Sequence, residues 1–260
     1  MTISTDERMR REFNEWAEAG KGEEMEQHHI SITQQTLAMM GLKPGQRVLD
    51  LGCGAGWASR LLAQLVGGGE TPGPGSPARP SLAGWGGGQV IGLDVSDEMI
   101  RRARANSTHY DNLMFVVGSA QQIPWEENFF DKVLSVESFY YYGDQEGALA
   151  ELFRVMAPKG ELFILINLYR DNPYSLRWVE ELKVPVQVRS EQEYVDLLKE
   201  HAFEDVRAVR IPDLTPTPEE YSGKWFKNAE ELRDFKRIGA LLLIARKPDL
   251  QSPPKGYEVE

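Results

Sequence analysis

The residues best suited to chemistry are Asp50-Leu51-Gly52-Cys53-Gly54-Ala55-Gly56, where a β-rich run, Arg47–Leu51, meets a cluster of glycines that opens a helix at Trp57. Glycine is needed in such a turn because the backbone must reverse tightly and approach a ligand with no Cβ in the way. A glycine turn alone is a weak signal. The next strand, however, ends Ile91-Gly92-Leu93-Asp94, and in doubly wound folds a carboxylate at that place accepts hydrogen bonds from ribose hydroxyls. The interval from Gly56 to Asp94 is long for this pair, and an insertion at 67–88 accounts for the excess. Loop and carboxylate together point to a nucleoside-bearing ligand.

A dinucleotide fits that ligand poorly. The pattern G-x-G-x-x-G counted from Gly52 needs a glycine at position 57, and Trp57 stands there, its bulk hindering a diphosphate at the first helical turn. Asp50, just ahead of the glycines, suits an ammonium or sulfonium better than a diphosphate. Both features count against a nicotinamide-dependent oxidoreductase.

Positioning these residues requires an alternation of strands and helices, and the chain reads that way. After two leading helices between Met9 and Met40, broken at Ala19–Gly22, the strands are Arg47–Leu51, Gln89–Asp94, Leu113–Gly118, Phe130–Val136 and Glu161–Ile166. Between them run helical stretches at Trp57–Val66, Asp97–Asn106 and Gln145–Met156. A further helix, Glu191–Glu200, and strands Val206–Ile211 and Ala240–Ala245 complete the pattern. Crossovers of this kind make a mainly parallel sheet covered on both faces, an α/β fold. Residues 67–88 are dominated by Gly and Pro with almost no apolar period, and read as an inserted flexible loop. The expected organisation is a helical cap over 1–44, a core over 45–166, a lid segment over 167–189, the rest of the core over 190–248 with an insertion at 212–237, and a tail over 249–260.

Composition narrows the function. The 260 residues carry a net charge of −11 and no long basic run, which disfavours a nucleic-acid partner. The single cysteine, Cys53, suits a reducing cytosol, and the apolar stretch Ile238–Ala245 is too short to span a bilayer. The expected setting is the cytoplasm, with no membrane span. Four histidines and one cysteine without ligand-like spacing suggest no metal site.

The ordered motifs resemble one family. Val48-Leu49-Asp50-Leu51-Gly52-Cys53-Gly54-Ala55-Gly56 is similar to the first motif of class I S-adenosylmethionine-dependent methyltransferases, and Gly92-Leu93-Asp94-Val95-Ser96 to the second. Val117–Trp125 with Asn128-Phe129-Phe130-Asp131 is similar to the third, and Ala150–Leu162 to the helix and turn before the fifth strand. The likeness covers roughly Arg47 to Ile166, with a weaker echo at Leu241–Pro248, and is nearest the branch containing ubiquinone, sterol and sugar methyltransferases. It implies a Rossmann-like, doubly wound, seven-stranded, mainly parallel sheet with the last strand antiparallel, together with N-terminal helices and lid insertions. It also implies a methyl transfer from S-adenosylmethionine to a small molecule, leaving S-adenosylhomocysteine.

Site residues follow from that resemblance. Asp50 and the loop of Gly52, Cys53, Gly54 and Gly56 would hold the methionine moiety, Asp94 the ribose, and Val95 and Met99 the adenine, with Ala120 and Ser119 at the adenine edge. Ser119 departs from the usual acidic residue and can offer only a neutral acceptor. Glu137, at the pocket mouth, is a candidate for both cofactor contact and catalysis. Where related sugar O-methyltransferases often carry a His and an Asp as base, this chain has Tyr140 and Tyr141 and, after the fifth strand, Asn167. The tyrosines could stabilise a cation through their rings. His28 and His29 on the second leading helix are alternative bases, at most one of them facing the pocket. The missing pair leaves a second reading open, a protein that binds the cofactor without chemistry.

Overall fold

The computed structural model describes residues 4–67 and 87–249. The expected insertion at 67–88 lies largely outside them, as does most of the tail, but the insertion's ends are visible. The Gly88 N–H donates to the Val66 carbonyl at 3.2 Å, so the chain leaves and re-enters at one point.

Among the described residues, seven helices and seven strands follow one another, with two short 3₁₀ turns at Phe139–Tyr141 and Leu176–Glu181. The first helices are α1 (Thr5–Glu18) and α2 (Lys21–Met39), and then β1 (Arg47–Leu51), α3 (Trp57–Val66), β2 (Gln89–Asp94), α4 (Asp97–Ala105) and β3 (Leu113–Val117). The second half holds β4 (Phe130–Val136), α5 (Gln145–Val155), β5 (Met156–Ile166), α6 (Glu191–Glu200), β6 (Glu204–Ile211), α7 (Ala229–Ile238) and β7 (Ala240–Arg246). The sheet order is β3-β2-β1-β4-β5-β7-β6, and only β7 runs antiparallel to its neighbours. The doubly wound sheet with an antiparallel last strand is therefore present as expected.

Strand parity builds the two cores. Leu49 and Leu51 of β1 and Ile91 and Leu93 of β2 face one side with Leu241 and Leu243 of β7, while Val48, Val90, Leu242 and Ile244 face the other against α2 and α3. Because helices cover both sides, β2 and β7 are buried almost without interruption. The strand order reverses between β1 and β4, which opens a crevice at their carboxyl ends.

Two departures from the sequence reading have physical causes. Segment 212–237 contains α7, capped by Asn228, whose side chain accepts from the Glu231 amide at 2.9 Å, and stopped by Gly239 at φ 80°. The turn signals were there, but the aromatic and polar surroundings masked the helical period. Strand β5 begins at Met156, ahead of Pro158, because residues around Lys159 (φ 65°) bulge out and spare the ladder a donor at the proline.

Gly56, at φ 78°, marks where α3 is pressed against the sheet: a Cβ built there would stand 2.6 Å from the Phe115 ring. Gly56→Ala is expected to cost about 2–4 kcal/mol, combining left-handed backbone strain with overpacking. Urea denaturation measures it, and a loss below 1 kcal/mol would show that α3 can retreat from β3.

Candidate active site

The crevice is a cleft open to solvent, walled by the turn after β1, the ends of β2 and β4, and the inner faces of α1 and α2. Its floor is one hydrogen-bonded unit. Gly52 and Cys53 donate their amides to the Leu93 carbonyl at 2.7 and 3.0 Å, and the Gly54 amide donates to Asp94 Oδ2 at 2.9 Å. The other Asp94 oxygen accepts from the Ser96 amide at 2.9 Å. Glycine loop and strand-end carboxylate thus converge. Gly54 sits at φ 50° with open space where a Cβ would point, as a backbone that admits a ligand requires, whereas Gly52 is needed to clear Ser138.

Asp50 is buried at 1% exposure and accepts from Ser59 Oγ at 2.5 Å. Burial pushes its pKa up to about 7 against the Ser59 bond, and the nearby Asp94 carboxylate adds to the rise. Burial raises Asp94 too, opposed by the amides donating to it. Ser59 lies one turn into α3, and nothing in its spacing along the sequence marks it as a partner of Asp50.

The far wall is aromatic. Tyr140 and Tyr141 lie with centroids 4.5 Å apart, Phe13 meets Tyr141 edge-on at 5.0 Å, and Trp16 meets Phe13 at 5.4 Å. Helix α1 is fixed over the cleft by Asn14, whose Oδ1 accepts from Ser96 Oγ at 2.6 Å and whose Nδ2 donates to Asp97 at 3.0 Å. Lys183 reaches α1 from outside, 3.5 Å from Glu12 and 3.3 Å from Glu15. No residue of 167–189 is among the cleft's lining; that segment packs behind the tyrosines, where the Gln187 amide donates to the Tyr140 carbonyl at 2.8 Å.

Glu137 stands directly beyond β4 in the left-handed region at φ 53°, a strained conformation for this residue type. Its carboxylate accepts from the Asn167 amide at 2.6 Å and from the Tyr140 hydroxyl at 3.0 Å, and burial pushes its pKa up to about 7. The Tyr142 hydroxyl pairs with Ser138 Oγ at 2.9 Å, which donates to the Leu51 carbonyl at 3.0 Å, so the β4 end is tied to β1.

The structure brings most of the sequence candidates together. Asp50, Gly52, Cys53, Gly54, Asp94, Val95, Met99, Ser119, Ala120, Glu137, Tyr140, Tyr141 and His29 all line the cleft. Gly56 does not, its role being the packing against Phe115. His28 is exposed and off the wall; His29 faces in, with Nδ1 shielded from solvent and lacking a hydrogen-bond partner, and burial pushes its pKa down to about 4. The Cys53 thiol is driven well above its ordinary pKa by burial and the two aspartates, which keeps it protonated. Four carboxylates but no Lys or Arg are found among the described lining residues.

The profile of a family described as a methyltransferase domain matches residues 42–224. A sterol 24-C-methyltransferase of Pneumocystis carinii is 30% identical over 139 residues, 51% of this chain and 32% of that protein. A ubiquinone/menaquinone biosynthesis C-methyltransferase of Erwinia tasmaniensis is 30% identical over 133 residues, 50% of this chain and 46% of that protein. The chain spans only about a third to a half of the length of the sterol relatives it matches. Among solved structures, the complex between the Haloferax volcanii Trm112 methyltransferase activator and a methyltransferase contains a chain 29% identical, with a TM-score of 0.79, over 91% of this chain and 98% of that one.

The raised carboxylates fix a pH dependence of folding. The folded chain holds protons on Asp50 and Glu137 more tightly than the unfolded chain, so their contribution is greatest below the usual carboxylate range and is lost as pH rises through about 7. Glu98 and Glu193, held at about 2 by partners, act in the opposite sense only below about pH 4, whereas His29, pushed down to about 4 by burial, opposes the two raised carboxylates between about 4 and its ordinary value of 6.5 and offsets part of their effect. The ligand-free protein should therefore have a higher urea midpoint at pH 5 than at pH 8, and Asp50→Asn should shrink that difference; an unchanged slope would show that Asp50 ionises freely in the cleft.

Proposed function

Because the chain belongs to the methyltransferase-domain family, whose class I members use S-adenosylmethionine, we propose that it moves a methyl group from that cofactor to a small-molecule acceptor and releases S-adenosylhomocysteine. The observation that carries this is the meeting of the Gly54 amide and the Asp94 carboxylate, 2.9 Å apart, on a cleft lined by carboxylates and, among the described residues, by no Lys or Arg. A diphosphate would find no cation there. A ligand bearing a sulfonium and an ammonium finds Asp50 and Asp94, and its arrival favours the ionised form of both.

The residue roles follow. Asp50 and the loop through Gly52, Cys53 and Gly54 hold the methionine moiety, Asp94 retains lone pairs for the ribose hydroxyls, and Val95 and Met99 form the apolar seat of the adenine beside Ser119 and Ala120. Methyl transfer is an in-line displacement in which the sulfonium loses its charge, so alignment dominates. Helices α1 and α2 supply it by closing one side of the cleft and excluding water. Segment 167–189, expected as a lid, instead braces α1 and the tyrosines from behind and does not itself roof the cleft. The described residues contain no helix long and apolar enough to cross a membrane; with one cysteine, we place the protein in the cytoplasm. The likeness to a chain solved with a Trm112 activator supports a protein partner of that kind in addition to the small-molecule acceptor.

Titration calorimetry tests the cofactor, with binding expected for S-adenosylmethionine and none for NADH; heat from NADH alone would end this reading. Asp94→Asn removes the charge from contacts worth roughly 1.5–3 kcal/mol, so affinity should fall about 10- to 100-fold. Incubation of the protein with methyl-labelled cofactor and a metabolite extract tests turnover. Labelled product is expected, and tight cofactor binding without any would favour a silent binder.

A further inference from the structure

We infer that the acceptor reaches this cleft without negative charge, presenting a hydroxyl or neutral amine to Glu137, which takes its proton as the methyl is transferred. This rests on the cofactor assignment above and adds the class of acceptor and the residue that meets it.

Three observations converge. The first is charge. Asp6, Asp50, Asp94 and Glu137 line the cleft, no Lys or Arg does so among the described residues, and the one histidine on the wall, His29, is held neutral by burial. A phosphate or carboxylate on the acceptor would face four acidic groups with no cation among the described lining residues, Lys21 lying over the Trp16 ring at 4.9 Å from its centroid, in a site where burial weakens solvent screening. The second is the surface offered to the acceptor, the rings of Phe13, Tyr140 and Tyr141, which favour an apolar body.

The third is Glu137 itself. Its backbone is held in the left-handed region, and its carboxylate accepts from the Asn167 backbone amide and the Tyr140 hydroxyl, with the Asn167 side chain a further partner. Three donors do not use all the lone pairs of a carboxylate, and they fix the group at the ends of β4 and β5 without neutralising it by a cation. Burial brings its pKa to about 7, where a carboxylate is both partly ionised and basic enough to accept a proton. Tyr140 and Tyr141 are less suited, since burial raises both phenols well above their ordinary range.

The step balances. A lone pair of the acceptor oxygen or nitrogen bonds to the methyl carbon as the carbon–sulfur bond breaks, and that bonding pair stays on sulfur, which becomes a neutral thioether. The proton released by the acceptor goes to Glu137. One positive and one negative charge disappear together, so the net charge of the site is unchanged and no charge has to leave it.

The test uses the full chain loaded with S-adenosylhomocysteine, whose binding is measured first; failure there is failure of the cofactor reading and not of this one. Four probes of similar size are then titrated: 4-methylphenol, 4-methylaniline, 4-methylbenzoate and 4-methylphenyl phosphate. The two neutral probes should bind at least tenfold more tightly than the two anions. An anion binding as tightly as either neutral probe, or no probe binding the loaded protein, overturns the proposal. For the proton, Glu137→Gln should lower labelled methyl incorporation from a metabolite extract by at least about a hundredfold, the span of general-base loss. Retention within threefold would show that the acceptor does not depend on Glu137, and Tyr140→Phe, which keeps the carboxylate, should lose far less than Glu137→Gln.

Discussion

The site depends on one hydrogen bond, from the Gly54 amide to the Asp94 carboxylate. It joins the turn after β1 to the end of β2, and with the paired amides of Gly52 and Cys53 on the Leu93 carbonyl it makes the cleft floor a rigid continuation of the sheet. A charge-assisted bond to a backbone amide is short and strong, and here it also orients the carboxylate before any ligand arrives. Parallel pairing sets the ends level, with Asp50 opposite Gly92 and Leu51 opposite Leu93. The loop could not make this contact if the register slipped by one residue, because every side chain would change face.

Around that floor the protein gathers negative charge and then keeps it partly protonated. Asp50, Asp94 and Glu137 are each raised by burial, and their partners are hydroxyls and amides rather than cations. Such an arrangement destabilises the empty protein toward neutral pH and favours a cationic ligand, so binding and folding are coupled through the same protons. Stability is given up at the place where the ligand returns it.

Much of this could be read in the sequence. The loop from Asp50 to Gly56, the carboxylate at 94 and the strand–helix alternation are local patterns, each set by backbone geometry or period. What escaped notice was non-local. Ser59 donates to Asp50 across a helical turn, Asn14 pins α1 to the start of α4 from 82 residues away, and Ser138 ties β4 to β1. No spacing rule connects such pairs. Gly56 shows the converse: its position within a motif suggested ligand contact, whereas its space is taken by Phe115 from a strand about sixty residues on. Helix α7 had a legible cap in Asn228 and stop in Gly239, obscured by the aromatic residues before it.

The most direct measurement is a crystal structure of the protein grown with S-adenosylhomocysteine. The account requires the ribose hydroxyls within hydrogen-bond distance of Asp94, the amino-acid end beside Asp50 and the glycine loop, and the sulfur turned toward Glu137 and the tyrosine wall. A cofactor seated elsewhere, or a ribose turned away from Asp94 with the Gly54 contact intact, would contradict it.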